Sequence, residues 1–203
     1  MLQSLSDRVV LDRQQARNAS DASQRDVASS RVAFLLPILD SFDQCDDELE
    51  QLAQSFLINQ IIQDQGKTAQ HLVEEMSALA KTMQRQTDMR RKSMGATLGV
   101  AVLSLDRAVE WALDMYPVNP QAVMVGAVPF LKCCRIVVGA WLLGSQPQVA
   151  QATDLMTAAV ADRSQFGIAA FYFSQVLPIA ASLSQVVRLG EGVVQAIQDG
   201  LND

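Results

Sequence analysis

The stretch GAVPFLKCCRIVVGAWLLG, residues 126–144, is the most apolar in the chain, yet Lys132 and Arg135 sit inside it. A helix that crosses a membrane needs about 20 consecutive apolar residues with few charges. Each cation near the middle of such a span costs about 2.5–3.5 kcal/mol on insertion scales, and Pro129 adds a break. The stretch is therefore a poor membrane span and reads as a core helix of a water-soluble bundle. Lys132 and Arg135 are three residues apart, so they share one side of the helix. Phe130, Cys134, Val137, Val138 and Trp141 take the other side, which makes an interior helix with one wet edge. Gly139 and Gly144 flank Trp141 and predict close approach by another helix. That arrangement also leaves room for an apolar ligand, but apolar residues at helical spacing are the ordinary signature of packing.

Helical stripes extend on both sides. Asp46-Asp47-Glu48 precede Leu49, Leu52, Ala53, Phe56 and Leu57, and acids before an apolar stripe mark a helix start. Gly66 is a natural stop. Leu72, Met76, Leu79, Ala80 and Met83 form a clean amphipathic stripe, and Leu98, Val102, Leu105, Val109, Ala112 and Tyr116 form another, which ends at Pro117 and Pro120. Pro37 predicts a break or kink in VAFLLPILDSF. After a polar break at Ser145-Gln146-Pro147, a stripe runs through Leu155, Met156, Val160, Phe166, Ala169, Phe173, Val176 and Leu177. Pro178 then kinks or divides that helix. A weaker stripe, Leu183, Val186, Val187, Val193, Val194 and Ile197, closes the chain. No stretch alternates long enough for a strand. These patterns predict an all-α fold, an antiparallel bundle of five or six helices over residues 31–203. Residues 1–30 are expected to be a polar, mobile segment with one short patch, Val9-Val10-Leu11, available for docking.

At 203 residues the chain is long enough for a self-sufficient core. Hydrophobic residues make up 49 % and aromatics only 5 %, which favours helices over a β-sandwich. The net charge of -6 disfavours nucleic acid, which needs a concentrated basic surface. The one basic cluster, Arg90, Arg91 and Lys92 with Arg85 nearby, reads as a solvated helix end, since positive charge is favoured at a helix C-terminus. Cys45, Cys133 and Cys134 are odd in number and lack the CxxC spacing. No disulfide framework is expected; Cys133 and Cys134 read as small core residues, which fits a reducing compartment, and the charged N-terminus is no signal peptide, so a cytoplasmic location is expected.

Two segments carry a family likeness. PFLKCCRIVVGAWLL, through Pro129, Phe130, Leu131, Lys132, Gly139, Trp141 and Leu142, and FYFSQVLPIAASL, through Phe171, Tyr172, Val176, Leu177 and Pro178, resemble the C-terminal helical domain of the larger acyl-CoA dehydrogenases. VLSLDRAVEWAL, from Val102, looks like the helix that precedes them. The resemblance spans about residues 95–185 and rests on packing motifs. Arg135 replaces a small residue, and Phe173-Ser174 replaces a small-plus-acidic pair. The family's flavin-binding and substrate-binding regions and its catalytic glutamate lie upstream of this domain. The resemblance therefore implies a non-catalytic structural or oligomerisation domain of an enzyme of fatty-acyl-CoA oxidation, with FAD only where a partner chain supplies the dehydrogenase core. The alternative is a stand-alone helical scaffold module derived from that domain. The expected partners are further copies of the chain or that flavin-containing core.

No residue is assigned a catalytic, cofactor-binding or metal-ligating role. Glu74, Glu75, Glu110 and Glu191 read as solvated helix charges. His71 is the only histidine, so neither a histidine metal cluster nor a classical triad can form, and its place at a helix start points to a surface or capping role. There is no GxGxxG and no P-loop.

Overall fold

The structure, a computed structural model, describes residues 2–18, 22–41, 46–146, 149 and 160–202. In order these are α1 (Leu2–Asn18), α2 (Ala22–Asp40), α3 (Asp46–Phe56) continuing into a π turn (Leu57–Ile62), α4 (Lys67–Gln84), α5 (Met89–Met115), α6 (Pro120–Val125) and α7 (Ala127–Gly144). After them come α8 (Val160–Phe171), a second π turn (Tyr172–Val176) and α9 (Ile179–Asn202). The described residues contain no strand, and the fold is all-α. Cys45, Leu155 and Met156 and the side chains of Glu191, Val193, Val194 and Ile197 lie outside the described residues.

Local chemistry sets the boundaries. Gln65 and Gly66 both take positive φ, 54° and 71°, which ends the first π turn and starts α4. Asp88 caps α5 by accepting from the Arg90 amide, and Asn119 caps α6 by accepting from that of Ala122, with Pro120 in the first turn. Pro37 does not break α2. It lies one turn from the helix end, where its carbonyl still accepts from the Ser41 amide at 3.0 Å. Pro178 falls where α8 passes into α9, and the helix widens just before it. Leu177 N–H reaches five residues back to the Tyr172 carbonyl, and a short turn at residues 177–178 carries the chain past the missing proline donor.

The α7 helix runs through the middle of the bundle. Thirteen of its residues are buried, and its wet edge is Val128, Pro129, Lys132, Arg135 and Ile136, the edge its two cations predict. Phe130 meets Phe56 at 6.3 Å, and Phe56 meets Phe34 edge-on at 5.1 Å, so α2, α3 and α7 share one aromatic seam. The chain turns back between α4 and α5, so Gly66 lies against Leu113 and Gly95 lies against Gln84. Between α7 and α9 the direction again reverses: a side chain on Gly126 would meet Val187, and the Cys133 thiol donates to the Ala180 carbonyl. By contrast α5 and α8–α9 run side by side in the same direction. Met94 faces Phe173, Ala101 faces Leu177, and Ser184 Oγ donates to the Ser104 carbonyl at 2.6 Å.

Close backbone approaches occur at Gly95 and Gly190, whereas Gly144 beside Trp141 meets side chains. A Cβ on Gly95 would lie 2.7 Å from the Gln84 nitrogen, and one on Gly190 2.5 Å from the Ala122 carbonyl. At Gly144 the neighbours are side chains, Phe173 and Leu79. Among the described residues two helices are long and apolar enough to cross a membrane, Ala127–Gly144 and Ser164–Gly190. The first is the core helix just described, 72 % buried; the second is only 28 % buried.

Candidate functional site

The chemistry-bearing side chains fall into three places. The first joins α1, α2 and α4. Asp12 is fully buried, with Arg8 Nε at 3.4 Å and Arg31 Nε at 3.7 Å. Neither contact has hydrogen-bond geometry, so the carboxylate is held by charge alone. Arg31 turns its terminal nitrogens to Glu75 at 2.7 and 3.1 Å, and His71 stands 3.5 Å from the same carboxylate. A small cavity beside them is lined by Asp26, Ser30, Arg31, Asp64, Lys67 and His71. Its charges are of both signs, and Asp64 is already engaged in accepting from the Thr68 amide at 2.7 Å. This is a charged clasp that fastens α1, whose Arg8 also lies over the Trp141 ring at 5.2 Å. Val9 reaches the core, while Val10 and Leu11 stay exposed.

The second place is the start of α5. The basic cluster lies at a helix N-terminus, not at the C-terminus that its composition favours. Arg90 and Lys92 are exposed there, but Arg91 is only 2 % exposed. Its guanidinium donates to Asp88 at 2.7 Å and to the Val149 carbonyl at 2.9 Å, and it lies over the Phe166 ring. Arg91 is thus a bolt between α5 and α8, a role that a run of three cations conceals in sequence. Lys132 and Arg135 are half-buried on the edge of α7, and Arg135 donates to the Ser41 carbonyl. Glu74 and Glu110 are exposed, as expected of solvated charges. Cys133 and Cys134 are fully buried and free, and burial pushes the Cys133 thiol up to about 12. Tyr172, in the second π turn, donates to the Ile136 carbonyl at 3.1 Å, and its hydroxyl is also pushed up to about 12 by burial. Among the described residues no group of His, Cys, Asp and Glu has a metal-holding arrangement.

The third place is apolar and exposed. α5 turns Met89, Ala96, Val100 and Leu103 outward, with Val100 61 % and Leu103 49 % exposed. Beside it α8 and α9 present Ile168, Phe171, Ile179, Val186 and Leu189. Shallow grooves follow Val100 on both flanks, one against Leu177 and Pro178, the other against Gln84 and Gly99. Arg188 is the one charge among residues 164–190, so this face is a continuous exposed apolar surface. Sequence periodicity did not separate it from the core, because α9 is apolar on both sides.

Across residues 58–198, more than two thirds of the chain, the sequence matches a family of C-terminal domains, the one described as acetyl-CoA dehydrogenase C-terminal like. The chain belongs to this family. The match reaches from the first π turn into α9, well upstream of the motifs around Trp141 and Tyr172 that carry the resemblance. No curated protein matches the chain.

Proposed function

We propose that this chain serves an acyl-CoA dehydrogenase of fatty-acyl-CoA oxidation as a structural and oligomerisation domain, and that its contribution is shape and contact surface. The observation that carries this reading is the division of labour in the region 58–198. Its apolar residues fill the bundle interior, and a further apolar row on α5 and α8–α9 is left facing outward. Two charged groups that turn inward in the same region are spent on structure: Arg91 bolts α5 to α8, and Glu75 holds Arg31. In this reading the flavin and the base that abstracts a proton beside the thioester carbonyl belong to a dehydrogenase core on a partner chain. The site of action is cytoplasmic, in keeping with two buried free thiols.

The test is direct. The purified chain is expected to show no flavin absorbance and no acyl-CoA-dependent dye reduction. Light scattering is expected to show a dimer or larger assembly. Bound flavin or dye reduction by the chain alone would overturn the non-catalytic reading, and a monomer at high concentration would overturn the oligomerisation reading.

A further inference from the structure

The outward face of α5 has a charge order that only one arrangement satisfies. Its helix begins with Arg90 and Lys92 exposed, carries Ala96, Val100 and Leu103 in the middle, and ends with Glu110 and Asp114 exposed. At 100° per residue Lys92 and Glu110 project on the same side of the helix, and they stand about five turns apart. Among the described residues neither is in an ion pair with its own chain.

From this self-complementary order we infer that α5 is the twofold contact between two copies of this chain, packed antiparallel with the axis near the helix midpoint. The inference deepens the oligomerisation reading above and rests on it. In this register Lys92 of each copy lies across from Glu110 of the other, and Val100 lies across from Leu103, twice over as a twofold interface requires. Arg107 falls opposite the Gly95–Ala96 stretch, and the one like charge that comes level with Asp114, the capping Asp88, is neutralised by Arg91 of its own chain. A parallel pair would set Lys92 against Lys92 and Glu110 against Glu110, which repel. The row is also shaped for close approach. Ala96 and Gly99 keep the helix thin, and the grooves flanking Val100 lie where the partner's Leu103 and Val100 arrive. The same twofold stacks α9 over α9, because α5 and α9 run in one direction within each copy. Ile179, exposed and level with the middle of α5, then joins the centre of the interface.

Charge reversal tests this with the full chain, using equilibrium sedimentation or light scattering over a range of concentrations. Lys92→Glu alone and Glu110→Lys alone are each expected to weaken the dimer by about tenfold or more, because each spoils two contacts. The double variant K92E/E110K restores the pairs with signs exchanged and is expected to recover most of the affinity. All three positions of the argument are on the surface, so helical circular dichroism should be unchanged. Val100→Cys, placed beside the axis, is expected to give a covalent dimer on mild oxidation. An assembly indifferent to all these changes would overturn the α5 contact and leave the oligomerisation reading standing. A wild-type chain that stays monomeric would overturn both. Weakening by the single reversals without rescue by the double variant would also overturn the antiparallel register.

Discussion

Gly95 has no room for a methyl group, because α4 and α5 touch there backbone to backbone. Its virtual Cβ lies 2.7 Å from one Gln84 backbone atom and 2.8 Å from the Ala80 carbonyl, neither of which can swing aside. Gly95→Ala is expected to cost about 1–3 kcal/mol in urea unfolding, the usual penalty of overpacking. Gly192, which meets nothing within 4 Å, is the natural control. At Asp12 the cost has a different origin. Truncation to alanine leaves Arg8 without its carboxylate, while Arg31 keeps Glu75. An expected loss of about 1 kcal/mol follows from removing these ion pairs, and wild-type stability in Asp12→Ala would show that α1 is fastened otherwise. The buried thiols give a pH dependence. Cys133 is raised from 9.0 to about 12, so the unfolded chain releases this proton near pH 9 while the folded chain retains it. The contribution to stability is full below pH 9 and drains away toward 12. Unfolding midpoints should therefore fall across that window, less steeply in Cys133→Ala. Below pH 9, Cys133 and Cys134 should resist alkylation until the protein is unfolded.

At the scale of elements, the two π turns show what residue patterns can and cannot announce. The stripes of α4, α5 and α7 are readable because each buries one face and wets the other, and Lys132 with Arg135 marks the wet edge of α7 directly. A π turn shifts the hydrogen-bond register by one residue while leaving the spacing of apolar residues nearly intact, so neither Leu57–Ile62 nor Tyr172–Val176 shows in the pattern. Pro178 was the one visible sign of the second. That turn aims Tyr172 across at α7, and Tyr172→Phe should lose about 0.5–1.5 kcal/mol through the bond to Ile136, measurable by thermal unfolding. The α1 helix is hard to read for another reason. It docks mainly through Arg8 and Asp12, and composition counts such residues as solvent-loving whether or not a partner waits for them. The same blindness hides Arg91. The outward row on α5 and α9 escaped notice because an exposed apolar residue and a buried one look alike until neighbours are known.

For the molecule as a whole, the family match begins at residue 58, but the core does not. Phe34, Leu35, Ile38 and Phe56 are buried in the same cluster as Phe130, and Phe56 is the middle ring of the seam that ties α2 to α7. A chain shortened to residues 58–203 should therefore lose cooperative unfolding and bind a hydrophobic dye, whereas the full chain should unfold in one transition. A sharp single transition in the shortened chain would show that the matched region folds by itself.

The parallel alignment of α5 with α9 also governs when the protein can be finished. Ser104 and Ser184, bonded to each other, are separated by 80 residues of chain. The hairpin of α4 and α5 can close as soon as it leaves the ribosome, but the wall that packs beside it is made some 80 residues later. Until that helix emerges, one side of α5 waits uncovered, and its closure runs at the pace of a distant contact rather than of a local helical one.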